Sequence, residues 1–175
     1  MRLNQCLIIR VLSFDYDGCI APQSKEGVGI VASNQALADR QKKINQGYQK
    51  TIGLIGSNRQ SKRDDDRNSR HAHDSCFKQV PIFCRAINAE FKPFLLADLY
   101  NKKIQGTAFY AATKANNAAI HSHLGWLHDS SKITLIYAQI HKIAMEYPDA
   151  QIDFFFFDDK KKILNNLYSF LTINN

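Results

Sequence analysis

Two apolar runs in this chain end in paired carboxylates. Val-Leu-Ser-Phe leads into Asp15-Tyr-Asp17-Gly18 near the start, and Asp-Phe-Phe-Phe-Phe leads into Asp158-Asp159 near the finish. Each run reads as a buried strand that delivers its acids at the C-terminal end, where open α/β sheets hold their ligands. Four carboxylates gathered at one sheet edge repel each other unless they share a cation. A hard divalent ion such as Mg²⁺ suits that place, because it takes oxygen ligands and keeps positions open for water and phosphate. The residue types therefore point to metal-assisted phosphate chemistry. A turn formed by Asp and Gly on their own account explains only the first pair. Helix capping explains only the second, and does not exclude metal binding.

Strands and helices must carry these residues to a common edge. Residues 7–14 read as the first strand, apolar on both faces apart from Arg10 and Ser13, as an inner parallel strand is. Ser33 is a plausible N-cap for a helix bearing Ala36, Leu37 and Ile44 and closing at Gly47. Residues 51–56 form the second strand, with Ser57 directly after it. From Asn58 to Asp74 the chain is almost wholly polar, Arg59, Arg63, Arg67 and Arg70 alternating with Asp64, Asp65 and Asp66, and so reads as a solvated loop. Arg59 starts at the same sheet edge and could bind a phosphate or carboxylate bidentately. Most of these arginines are expected to pair with Asp64 to Asp66 or with solvent.

Phe77, Val80, Cys84, Ile87 and Phe91 fall at spacings of three and four and predict one helical stripe, started or kinked by Pro81. Residues 94–99 read as the third strand. Residues 100–128 show little pattern, and a small loop or cap insertion is expected there. Ser130 or Ser131 can cap a helix whose face is Ile133, Ile136, Ile140, Ile143 and Tyr147, stopped by Pro148. Residues 152–157 form the fourth strand, and Asp159 can cap a last helix with Ile163, Leu164, Leu167 and Leu171. Strands alternating with helices imply an α/β fold, a Rossmann-like parallel sheet flanked by helices.

At 175 residues the chain fits a single domain over 1–175. Its 22% of charged residues beside 45% hydrophobic ones argues against extensive disorder. The apolar stretch at residues 6–12 is broken by Arg10, too short to span a bilayer and without a cleavage site, so it predicts neither a membrane anchor nor a signal peptide. Cys6, Cys19, Cys76 and Cys84 make no C-x-x-C pair, which favours a reducing, cytoplasmic setting. The net charge of +7 attracts phosphate-bearing molecules in general. Nucleic acid is one such partner, although no recognition-module signature accompanies the charge. His71-Ala-His73-Asp74 with Cys76, and His121-Ser-His123 with His128, offer transition-metal ligand types but no recognised zinc spacing.

Four separated elements resemble one pattern, that of the haloacid dehalogenase-like hydrolases, a Rossmannoid superfamily dominated by Mg²⁺-dependent phosphatases. An apolar strand ending in Asp-x-Asp is matched by Phe14-Asp15-Tyr16-Asp17-Gly18. A strand ending in Ser or Thr is matched by Leu54-Ile55-Gly56-Ser57. A Lys near the start of the helix before the last motif strand is matched by Lys132, with Lys114 as the alternative. A strand ending in an acidic pair is matched by Phe157-Asp158-Asp159. The order is right, and the resemblance spans about residues 7–171. Cys19 stands where many members have Thr or Val, no clear cap is present, and the chain stops one helix after the fourth motif. Ser57-Asn58-Arg59-Gln60-Ser61, together with residues 135–141, is also similar to hydrolase-like effectors that intracellular bacteria secrete into host cells.

The resemblance implies that Asp15 is the nucleophile, forming an aspartyl-phosphate, and that Asp17 protonates the leaving oxygen and later takes a proton from water. It implies that Ser57 and nearby N–H groups hold a phosphoryl oxygen, with Asn58 and Arg59 beside it, and that Lys132 steadies the nucleophile. Mg²⁺ would be held by Asp15, Asp17 (through its backbone carbonyl), Asp158 and Asp159. The expected activity is a Mg²⁺-dependent phosphate-monoester hydrolase acting on a phosphorylated small molecule or, through an open site, a phosphoprotein. A silent binding or effector protein that keeps the fold is the first alternative, and a polynucleotide end phosphatase, suggested by the net charge and the arginine loop, is the second.

Overall fold

The computed structural model describes residues 6–21, 28–60, 62, 65, 66, 69–95 and 132–173. Its strands are β1 (Ile8–Phe14), β2 (Lys50–Ile55), β3 (Glu90–Phe91) and β4 (Gln151–Phe157). They pair in parallel in the order β3-β2-β1-β4, so the sheet is of the α/β kind that the alternation of elements predicts. The helices are α1 (Ile30–Ser33), α2 (Gln35–Asn45), α3 (Cys76–Ala86), α4 (Ile133–Glu146) and α5 (Lys161–Ile173).

Both faces of the sheet are covered. Leu12, Phe14 and Ile55 pack with Ile30 of α1, Ala38 of α2 and Val80, Phe83 and Cys84 of α3 on one side. Ile9, Val11, Ile52 and Leu54 pack against Ile143 of α4 on the other, where Ile136 also meets Ile163 and Leu167 of α5. This two-faced burial is why β1, apart from Arg10 and Ser13, and β2, after Lys50 and Thr51, are apolar rather than alternating. From β1 the chain goes to one side to make β2 and β3, and later returns to the other side to make β4. The C-terminal end of β1 is thus the point at which strand order reverses, and ligand crevices open at such points.

Register decides what meets there. Phe14 is level with Ile55 of β2 and Phe157 of β4. Past this level the ladder makes one more bond on each side: the Asp15 N–H donates to the Phe157 carbonyl (2.9 Å) and the Gly56 N–H donates to the Phe14 carbonyl (2.7 Å). Asp15, Gly56 and Asp158 therefore leave the sheet side by side.

Several expected boundaries move. The third strand is Glu90–Phe91, and residues 92–95 lie in no strand; Leu95 is buried without a ladder, while residues 96–99 lie outside the described residues. Phe91 pairs with Gly53 in β3 instead of ending the α3 stripe, because α3 closes at Ala86 and Asn88 takes a left-handed φ of 57°, a conformation Asn tolerates. Pro81 sits inside α3, whose start is capped by Ser75 accepting from the Lys78 N–H (3.2 Å). Asn34, not Ser33, precedes α2. Lys132, not Ser130 or Ser131, occupies the N-cap position of α4. Lys160 rather than Asp159 stands at the start of α5, where its carbonyl accepts from the Ile163 and Leu164 N–H groups. The insertion expected at 100–128 lies outside the described residues.

Candidate active site

Each strand end contributes a different kind of group. Asp15 follows β1 with its carboxylate nearly enclosed. Asp158 follows β4, its side chain fully buried, and its Oδ1 accepts from the Lys160 N–H (2.8 Å), a local turn that directs Oδ2 inward. Lys132 lies between them. Its ammonium is 2.7 Å from Asp15 Oδ1 and 2.6 Å from Asp158 Oδ2, and it also sits 5.4 Å from the centre of the Phe156 ring. The backbone of Lys132 is left-handed (φ 56°), a strain of about 1–3 kcal/mol for a non-glycine residue that the double ion pair can offset.

What holds α4 in this position is a polar bolt through the apolar layer. The Ser13 hydroxyl donates to Gln139 Oε1 (2.7 Å), and Gln139 Nε2 donates to the Ile55 carbonyl (2.8 Å), all three groups being buried. Gln139 lies two turns beyond Lys132 on α4, so the helix is tied to the ends of both β1 and β2.

Asp159 completes an acidic group. One carboxylate oxygen from each of Asp15, Asp158 and Asp159 lies within 4.8 Å of the others, the one such His/Cys/Asp/Glu group among the described residues. Opposite ligands of a Mg²⁺ ion with bonds of about 2.0–2.1 Å stand about 4.2 Å apart, so this spacing is near that of a shared ion. With all three acids ionised and one ammonium present, two negative charges remain, which matches a divalent cation. The oxygen-only donor set fits Mg²⁺ and not a thiophilic metal. Gly18 makes room for Asp159: its φ is +80°, and a Cβ there would lie 2.6 Å from Asp159 Oδ2.

The local field agrees with crowded acids. Burial raises the Asp15 carboxyl above the usual carboxylate range, Lys132 opposes the shift, and Asp158 reinforces it. The half-buried Cys19 thiol is pushed up to about 12, first by burial and then by Asp15, Asp158 and Asp159.

Asp17 goes elsewhere. It lies in the turn Tyr16–Ile20, and its half-exposed carboxylate accepts two bonds from Arg59, Nε to Oδ2 (2.8 Å) and Nη2 to Oδ1 (2.5 Å). Its side chain does not join the acidic group that was expected to include it. Arg59 is correspondingly committed to protein partners rather than left open for a substrate anion, since its Nη1 donates to Asp65 (3.0 Å) and to the Asp74 carbonyl (2.6 Å). Burial works against the Arg59 charge, yet the bonds to Asp17 and Asp65 hold its pKa above the ordinary guanidinium value.

Ser57 is buried at the end of β2, and its Oγ accepts from the Arg59 N–H (3.3 Å). Gly56 lets it sit there: a Cβ on Gly56 would be 2.5 Å from Ser13 Oγ and 2.8 Å from Phe156 Cε2. Asp15, Asp17, Ser57, Asn58, Arg59 and Lys132 all line one cavity of about 560 Å³, whose far wall is Lys160, Lys162, Ile163 and Asn166 from the start of α5. All the expected site residues except Asp158 and Asp159 thus share that cavity, and these two reach it through their contacts with Lys132 and Asp15.

The first zinc reading does not gather among the described residues. Asp74 accepts from the His71 N–H (3.0 Å), and Cys76 is buried beside Asp65. His121, His123 and His128 lie outside the described residues, as does Lys114. Sequence reasoning missed Ser75 and Gln139 as supports and gave Asp65 only as one of three acids expected to pair with the loop arginines; a Gln amid the Ile residues of α4 was the signal for Gln139. No described helix is long and apolar enough to cross a membrane. No family model, no curated protein and no solved structure matches the chain.

Proposed function

We propose that this protein is a Mg²⁺-dependent phosphate-monoester hydrolase of the haloacid dehalogenase-like kind, working through a phosphorylated Asp15. The observation that supports the reading best is the convergence of Asp15, Asp158 and Asp159 about the Lys132 ammonium at the end of β1, with Ser57 on the same cavity. A buried acid that is held beside an ammonium yet remains close to solvent is placed to attack an electrophile.

In this mechanism an Asp15 carboxylate oxygen forms a bond to phosphorus as the ester P–O bond breaks and its electron pair leaves on the alcohol oxygen. Asp17 supplies the proton to that oxygen. The resulting carboxylate then takes a proton from water, whose oxygen attacks phosphorus, and the P–O bond to Asp15 breaks with its electron pair left on Asp15, returning that carboxylate and inorganic phosphate. Lys132 neutralises Asp15 and a phosphoryl oxygen during both displacements. Ser57 has no acceptor for its hydroxyl hydrogen among the described residues and donates it to a second phosphoryl oxygen. Mg²⁺ would be held by Asp15, Asp158 and Asp159 and, as the resemblance implies, by the Asp17 carbonyl, and would supply Lewis-acid charge neutralisation there.

A cavity of about 560 Å³ is of the size that takes a small organic ligand. Lys160 and Lys162 on its far wall favour an anionic one, so a phosphorylated small molecule is the substrate class proposed. The test is phosphate release from p-nitrophenyl phosphate. Turnover should require Mg²⁺ and fall by about a thousandfold or more in Asp15→Asn. Activity that survives that substitution removes the mechanism.

A further inference from the structure

Asp17 is the least supported of the proposed reacting groups by its own segment. It stands on a turn with its side chain 55% exposed, and among the described residues only Arg59 holds its carboxylate. What fixes Arg59 lies on the opposite side, in the wall behind the cavity. Asp65 is fully buried and accepts four bonds there: from Arg59 Nη1 (3.0 Å), from the Ser75 hydroxyl (2.5 Å), and from the N–H groups of Cys76 and Phe77 at the start of α3 (3.4 Å each). The Asp74 carbonyl takes a second bond from Nη1, and the guanidinium carbon lies 5.3 Å from the centre of the Tyr16 ring.

We infer that Asp65 is a positioning residue for Asp17, acting through Arg59; the inference rests on the hydrolase reading in that Asp17 is taken as the proton donor. The guanidinium is a rigid plane. Its Nη1 is tied to the wall, so the edge formed by Nε and Nη2 has one orientation, and that edge receives both oxygens of Asp17. A carboxylate has about four lone-pair sites, and this fork uses two of them. Arg59 is thus a holder of the acid rather than a phosphate clamp.

Asparagine at 65 breaks the hold for a specific reason. It has one oxygen where Asp65 has two, and its NH₂ group would face one pair of donors, either Arg59 with the Cys76 N–H (now on Oδ1) or Ser75 with the Phe77 N–H (now on Oδ2). The wall then satisfies one set and abandons the other.

The test compares two substrates in wild type, Asp65→Asn and Arg59→Lys. p-Nitrophenyl phosphate expels an oxygen that needs little protonation, whereas ethyl phosphate expels one that requires it. General acid catalysis is worth about 10²–10⁴-fold, and misplacement by about 1 Å can cost about 10²-fold. Both variants should therefore raise the ratio of kcat on the aryl ester to kcat on the alkyl ester by about tenfold or more, with KM for each ester little changed. A merely structural role lowers both rates together and leaves the ratio alone, which overturns the inference. Arg59→Lys keeps the charge and leaves Asp65 intact, so it carries the comparison if Asp65→Asn does not fold. A crystal structure of whichever variant folds gives an answer independent of turnover. The Asp17 carboxylate should leave its present position, and finding it unmoved overturns the inference. A wild type inert on both esters counts against the hydrolase reading alone, and the crystal structure then decides the role of Asp65.

Discussion

Replacing Lys132 by methionine isolates the charge at the centre of the site. Methionine keeps much of the volume and removes the ammonium. The two bonds lost are 2.7 Å to Asp15 and 2.6 Å to Asp158, between side chains that are 4%, 9% and 0% exposed. Removing one partner of a buried ion pair costs about 3–5 kcal/mol, because the other charge is left in a poor solvent. Two carboxylates are left here, so the upper part of that range is expected, about 4–5 kcal/mol at neutral pH in EDTA. The assay is urea unfolding followed by circular dichroism, with and without Mg²⁺. An ion that binds only the folded form stabilises by RT ln(1 + [L]/Kd). It also takes over the neutralisation that Lys132 provided, so Mg²⁺ should restore more stability to the variant than it adds to the wild type. The pH dependence has a definite sign. Burial raises the folded-state pKa of Asp15, so the native chain takes up a proton before the unfolded chain does as pH falls. The penalty in EDTA should be largest above that raised value and shrink as pH drops toward the ordinary carboxylate range. A loss below about 1 kcal/mol, the scale of a solvated surface pair, refutes the reasoning, because it means these groups are not enclosed together.

Three further outcomes are expected. Gly56→Ala forces a methyl against Ser13, Phe156 and the β1 backbone, and overpacking of this kind costs about 1–3 kcal/mol; at about 2–4 °C per kcal/mol for a chain of this size the midpoint should fall roughly 2–12 °C, and an unchanged thermal melt would contradict the close approach of β1 and β2. Gly18→Ala strains a position at φ +80° by about 1–2 kcal/mol and pushes on the Asp159 carboxylate. Calorimetric titration should show weaker Mg²⁺ binding, whereas unaltered binding would separate Asp159 from the ion. Native alkylation followed by mass spectrometry should modify exposed Cys6 first and spare Cys84, which is buried with its thiol pushed up to about 12. Equal rates at the two would contradict the packing of α3 on β2.

β1 and β2 were legible because burial on both faces writes a largely apolar run, and the half-exposed β4 because four phenylalanines stand in a row; Asp, Gly or Ser punctuates each end. β1, β2 and β4 were all read within one residue of their observed limits. β3 was not, since two residues have no periodicity to read, and the apolar run at 94–99 is a stronger pattern than Glu90-Phe91. Nor does spacing reveal that α3 stops at Ala86, for Ile87 and Phe91 continue its stripe; the break depends on Asn88 adopting a left-handed conformation. Within the site, the sequence pointed to Asp15, Asp158 and Asp159 through their places at strand ends, and to Ser57 and Lys132 through the family resemblance. It pointed to Asp17 too, but as a member of the acidic group, because pairing with Arg59 is a choice made between residues 42 positions apart. The partnership of Arg59 with one acid of the Asp64–Asp66 run was anticipated in kind. Which acid, and that it would be buried at a helix start, depended on how the loop folds over α3.

Gln139 has a bearing on how the centre responds to strain. Because its amide fastens α4 to the ends of both β1 and β2 two turns downstream of Lys132, the helix that carries the ammonium is anchored to the same strands that deliver Asp15 and Ser57. A displacement of either strand is passed to the helix, so acid, hydroxyl and ammonium shift together rather than apart.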